Sequence, residues 1–162
     1  MKKLLVAAIA GFSISAVQAA SYGVVDIEKV VQSSAYLKQQ QTSLQQAIKP
    51  QTTQIENLQK DLAGLQQKSQ APKLSDAEKQ KIATDFEAKA TQLNSLQQQV
   101  QSKVQTTMQA TNNTFETRVK SAAEQLRKEN KMDAVFNKVS VIAYEPSADL
   151  TDKLIQKVNA IK

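Results

Sequence analysis

The sequence predicts an α+β chain: a long antiparallel helical hairpin, a coiled-coil arm, inserted into a small β-rich oligomerisation body that ends in a short C-terminal helix. Three observations predict it. From Tyr36 to about Glu129 apolar residues recur at heptad-like spacing, with a single glycine (Gly64) and two prolines (Pro50 and Pro72) in the whole run. Valine- and isoleucine-rich segments flank the run: Tyr22-Gly-Val-Val-Asp-Ile before it, Met132-Asp-Ala-Val-Phe and Val139-Ser-Val-Ile-Ala-Tyr144 after it. Near its middle, Ser75-Asp-Ala-Glu78 has the form of a capping box, which opens a second helix. Strands separated by an outgoing and a returning helix pair only once the helices have come back. The expected division is residues 20–35 and 130–162 for the body and 36–129 for the arm, with its tip near 64–74.

Residues 1–19 precede all of this and read as a cleavable signal peptide. Lys2 and Lys3 form a basic start, Leu4 to Val17 is mostly apolar but too short to span a membrane comfortably, and Val17-Gln18-Ala19 suits cleavage near Ala19/Ala20. An exported protein of the periplasm is expected. Losing the two leader lysines lowers the net charge from +6 to about +4. There is no cysteine, so packing or assembly must hold the fold without disulfides. Aromatic residues make up only 4 % of the chain, too few for a large compact core.

Each element follows from local chemistry. Tyr22 to Val25 reads as a strand, and Asp26 as the N-cap of a short helix, with Val25 and Val30 spaced for a hydrophobic staple. Ser33-Ser34 interrupts that helix, and the long one begins there. Positions 37, 41, 44, 48, 51, 55, 58, 62 and 65 alternate steps of four and three, and seven of the nine are Leu or Ile. This is the 3.5-residue repeat of a left-handed coiled-coil seam. Pro50 lies beside the seam and removes one backbone donor, which predicts an arm kink rather than an end. From Gly64 to Pro72 the pattern lapses, placing the turn there. The return stripe runs Ile82, Phe86, Leu93, Leu96, Val100, Val104, Met108, Phe115, Val119, Ala122 and Leu126. Its mean spacing of about 3.7 residues implies looser winding than the outgoing helix. Ala134–Phe136 and Val141–Tyr144 read as strands. Asp149 caps the terminal helix, whose buried face is Leu150, Leu154, Val158 and Ile161. A body of about fifty residues without disulfides rarely stands alone. An obligate oligomer is expected, built on Val24, Val25, Val135, Phe136, Val141, Ile142 and Tyr144.

The residue types present exclude most catalysis. Without histidine and cysteine there are few nucleophile–base pairs and no usual zinc site, and with three glycines in all there is no phosphate-cradling loop. Carboxylates such as Asp76, Glu78, Asp85 and Glu87 are spaced for solvated helix faces and i,i+4 pairing. The reading is not an enzyme, with no cofactor and no metal. Lys60, Lys68, Lys73, Lys79 and Lys81 gather at the arm tip, diluted by Asp61, Asp76 and Glu78. They are either an ordinary solvated helix end or a cationic rim that binds acidic partners.

The order of these pieces resembles the Skp/OmpH-like periplasmic chaperones of Gram-negative bacteria, over nearly all of residues 20–162. The carriers are the opening Tyr22-Gly-Val-Val-Asp-Ile-Glu-Lys-Val-Val-Gln-Ser, the Gln/Lys/Leu hairpin, the ending Met132-Asp-Ala-Val-Phe with Val141-Ile-Ala-Tyr, and Asp149-Leu-Thr151. The resemblance implies a homotrimer whose base strands share a β-body and whose arms enclose a cavity. It also implies nucleotide-independent holding of unfolded outer-membrane β-barrel proteins. Some members carry an arginine run on the return helix linked with lipid binding. The comparable stretch here, Leu96 to Lys103, has one lysine, so no specific lipid site is expected and at most a weak contact with an anionic membrane surface. The rival reading is a structural coiled-coil envelope protein without clients, which would keep one uniform heptad. Nucleic-acid binding rests on basicity alone, and the export signal and interspersed acids oppose it.

Overall fold

The computed structural model describes residues 21–161. The expected signal peptide and its cleavage site lie outside the described residues. The order is β1 (Tyr22–Val25), α1 (Ile27–Ser33), α2 (Ala35–Ser69), α3 (Asp76–Glu129), β2 (Ala134–Asn137) and α4 (Thr151–Ala160), with 3-10 turns at Lys138–Ser140 and Pro146–Ala148. At about 1.5 Å per residue α2 is roughly 52 Å long and α3 roughly 81 Å, so both reach far beyond the body.

The sequence signals at the helix starts appear as atoms. Asp26 Oδ1 accepts from the Lys29 amide at 3.1 Å, and Val25 and Val30 on either side of that cap are both buried. Ser34 breaks the helix and caps the next, its hydroxyl accepting from Leu37 N at 3.2 Å. Asn159 of α4 bridges the break: its Oδ1 accepts from Ala35 N at 2.9 Å, and its Nδ2 donates to Ser33 O at 3.2 Å. One orphan amide of α2 and one orphan carbonyl of α1 are thereby satisfied. The Ser75–Glu78 capping box is complete, with Glu78 N donating to Ser75 Oγ at 3.3 Å and Ser75 N donating to Glu78 Oε2 at 2.8 Å.

At its other end α3 stops in a Schellman arrangement. Met132 N donates to Arg127 O at 2.9 Å and Lys131 N to Lys128 O at 3.1 Å. The residue that must turn left-handed is Lys131, at φ 53°, where glycine is the usual choice.

α2 and α3 lie antiparallel along the arm. Lys89 Nζ pairs with Asp61 at 2.6 Å, and Lys103 Nζ donates to Ala47 O at 3.3 Å. Both cross-links shift by the same interval on the two helices, as one antiparallel register requires. Of the nine predicted seam positions only Gln41 is exposed, and Leu58 is buried. α2 passes through Pro50 without ending. It also continues past Gly64 to Ser69, so the turn is shorter than the expected 64–74. The reason is that Leu65 still meets apolar side chains of α3, and the helix runs on while its stripe has a partner.

The body is less β-rich than expected. β1 and β2 form a two-stranded parallel sheet, with Val24 opposite Phe136, and the Val141–Tyr144 segment is not a strand. Both edges of β1 are taken. β2 occupies one, and the other carries a parallel bridge from Val24 to Asp149, with Leu150 N donating to Val24 O at 2.8 Å. A 3-10 turn at Lys138–Ser140 ends β2, and the residues after it pair with neither strand, so the outer edge of β2 carries no strand among the described residues. The core is instead mostly helical: Val25, Val30, Phe115, Ala122, Leu126, Leu150, Leu154 and Val158 interlock, so the root of α3 is part of the body. Gly23 permits this closeness, since a Cβ there would lie 2.6 Å from Leu150 Cδ1. Asp149 stands one residue ahead of its expected place. The N-cap of α4 is Leu150, and Asp149 Oδ1 accepts from the amide of Thr151 at 2.9 Å.

Candidate functional site

Two surfaces remain after the fold is satisfied: the outer face of the sheet and the flanks of the arm. Side chains alternate across a sheet. Gly23, Val25 and Val135 therefore face the core, and Tyr22, Val24 and Phe136 face the other way. The oligomerisation candidates divide accordingly. Val24 and Val25 are buried within the chain and Val135 packs on its core, whereas Phe136 is exposed and stacks edge-on against Tyr22, with ring centroids 6.4 Å apart. Val141 and Tyr144 are half-buried, and Tyr144 Oη donates to Asp149 Oδ2 at 3.2 Å. Ile142 is fully exposed and Val139 is 85 % exposed. Tyr22, Phe136, Val139 and Ile142 thus leave large apolar groups in water on a small body.

The tip lysines are all exposed. Among the described residues Lys60, Lys68, Lys73 and Lys81 form no ion pair. Lys79 holds Asp76 at 3.2 Å. Of the three acids beside them, Asp76 pairs with Lys79 and Asp61 with Lys89. Glu78 is held below the usual carboxylate range by the Ser75 hydroxyl and then the Ser75 amide, so it stays charged without a cation. Four lysines without an ion pair against this one carboxylate leave the turn positive.

The tip also contains a feature that lysine counting missed. Leu65 of α2, Leu74 of the turn and Ile82, Ala83 and Phe86 of α3 line an open groove of about 430 Å³, with Lys79 on its rim. A second groove of about 450 Å³ lies nearer the body, between Leu37, Leu44 and Ile48 on α2 and Val104 and Met108 on α3, and its rim is amide-rich (Gln40, Gln41, Gln45 and Asn112). Phe86 is 41 % exposed and Met108 55 %, although both belong to the apolar stripe. The drifting period of the return stripe was the signal for this. A stripe that precesses cannot face its partner everywhere.

Between the grooves the arm has a polar layer around Pro50. Gln51 occupies the seam with a buried Oε1 that has no hydrogen-bond partner. The Thr52 hydroxyl donates back to Lys49 O at 2.9 Å and Ile48 O at 3.2 Å. Lys103, the one lysine of the Leu96–Lys103 stretch, spends its ammonium on Ala47 O. Among the described residues no group of His, Cys, Asp and Glu is placed to hold a metal, and no helix is long and apolar enough to cross a membrane.

The profile of the OmpH-like outer membrane protein family matches residues 21–158, almost the whole described chain. This chain belongs to the OmpH-like family. An uncharacterised protein of Aquifex aeolicus (strain VF5) is 27 % identical to this OmpH-like chain over 161 residues, covering 98 % of it and 97 % of the relative. Among solved structures, a Caulobacter crescentus CB15 protein assigned as an OmpH-like outer membrane chaperone superposes with a TM-score of 0.63 at 19 % identity. The match covers 87 % of the OmpH-like chain and 85 % of the Caulobacter protein, and it establishes a shared fold. The fold of this chain is thus shared with the Caulobacter protein.

Proposed function

We propose that this chain is an ATP-independent holdase of the periplasm that keeps unfolded outer-membrane β-barrel proteins from aggregating during transit. Family membership supports a chaperone role in general. The observation that carries the finer reading is the arm itself, a long two-helix support along which Phe86, Met108 and two apolar grooves stay open to solvent beside the seam. Several shallow apolar contacts bind an unfolded chain weakly one at a time and tightly together, so the client is retained and still released. The positive tip adds long-range attraction for acidic clients that weakens with salt.

Three copies meeting through Tyr22, Phe136, Val139 and Ile142 would bury the exposed face of the body and set three arms around one cavity. Ile142→Asp or Phe136→Asp then lowers the sedimentation mass, and a wild-type monomer at micromolar concentration refutes the assembly. The holdase reading is tested by diluting a urea-unfolded barrel protein into buffer with and without this chain. Light scattering falls in its presence; undiminished scattering at stoichiometric trimer refutes the reading and leaves the structural coiled-coil alternative.

A further inference from the structure

The two apolar grooves of the arm have a fixed separation, and its length corresponds to a recognisable client element. Phe86 lines the tip groove and Met108 the groove nearer the body, and both belong to the single helix α3. At 22 positions apart, helix geometry places them about 33 Å apart along the axis and about 40° apart around it. They therefore share one face of α3. An extended chain advances about 3.3 Å per residue, so about ten residues of extended client reach from one groove to the other.

We propose that the grooves act as a pair that takes one extended segment of about ten residues with a large apolar side chain at each end. A membrane-spanning strand of an outer-membrane barrel has this form: about 9–11 residues, with aromatic girdles where it meets the two interfaces. This deepens the holdase reading and rests on it.

The rims give the segment a direction. At the tip Lys68, Lys73 and Lys81 have no ion-pair partner among the described residues, while the groove nearer the body is bordered by neutral amides. The segment is thus seated with acidic residues beyond its tip-side anchor, facing the lysines.

Synthetic peptides test the pairing with the full exported chain. Each carries two tryptophans joined by a soluble Thr/Gly spacer and an Asp-Asp pair outside one of them; in one peptide the tryptophans are ten residues apart, in the other four. The chain has no tryptophan, so indole emission reports the peptide alone. The ten-residue spacing binds at least about tenfold tighter, as expected when a second contact becomes intramolecular. Phe86→Ser or Met108→Ser removes that advantage while helicity is retained. Equal affinity for the two spacings, or an advantage that survives both substitutions, overturns the pairing even where suppression of barrel-protein aggregation persists. Loss of that suppression in the wild-type chain overturns the holdase reading beneath it.

Discussion

Leu154→Ala is the sharpest test of where the stability of this protein resides. Leu154 projects from α4 into the centre of the core cluster and has no exposed surface. Alanine removes three carbons, worth about 2.4 kcal/mol at about 0.8 kcal/mol per buried methylene. The site is walled by side chains from β1, α1, α3 and α4, each fixed by other contacts, so about half of the lost volume should remain as a void. A residual void of about 40 Å³ adds about 1 kcal/mol, giving a cost of about 3.4 kcal/mol. Urea denaturation followed by far-ultraviolet circular dichroism, at one fixed protomer concentration, reads this as a fall in the midpoint. Leu62→Ala is the comparison, since Leu62 is a half-buried arm position and its loss should cost below about 1.5 kcal/mol. A Leu154→Ala cost under about 1 kcal/mol, or one no larger than that of Leu62→Ala, would refute the argument that the body anchors the arm.

Other expectations follow from local chemistry. Lys131→Gly should raise stability by about 1 kcal/mol, because it relieves a left-handed lysine at the end of α3; an unchanged or lower urea midpoint contradicts this. Ser75→Ala removes one half of the capping box and should cost about 1 kcal/mol, seen as faster amide exchange in the first turn of α3 with the body unaffected. Acid should loosen the body from several sites at once. Glu124 is held down to about 2, first by the Arg127 guanidinium. Asp26 is lowered by the Lys29 amide and Asp149 by hydrogen bonds from Thr151. These depressed carboxylates stabilise the fold fully above their unfolded values near 4, and that stability is lost as pH falls through their folded values. The urea midpoint should therefore be flat from pH 7 to about 5 and drop below about pH 4; a drop beginning above pH 6 would assign acid sensitivity to other groups.

Local signals were legible because their causes lie within a few residues. Asp26, Ser34 and Ser75 cap helices by bonding amides three positions on, and a 3.5-residue stripe needs only a neighbouring helix to become a seam. The buried face of α4 was readable for the same reason. The Val141–Tyr144 strand was not. Its valine and isoleucine content favours a strand, but propensity does not choose a partner: β2 and Asp149 hold both edges of β1, and the 3-10 turn after β2 carries the segment away from the outer edge of β2. The grooves were equally hidden, since sequence placed Phe86 and Met108 on the apolar stripe without showing that the partner helix leaves them uncovered.

The sequence by itself determined the two helices of the arm and the caps at their starts, which depend on residue type and spacing along one stretch of chain; the length of the turn it did not, since α2 runs on past Gly64 to Ser69. Only the tertiary structure decided the body and the open surfaces. Asn159 closing the α1–α2 break, Arg118 lying 4.1 Å over the Tyr36 ring and Leu154 filling the centre join residues far apart in sequence. Such contacts form only after the arm has gone out and returned, and no pattern within a short window specifies which distant side chain will arrive. The two grooves and the exposed face of the sheet are what that closure leaves uncovered.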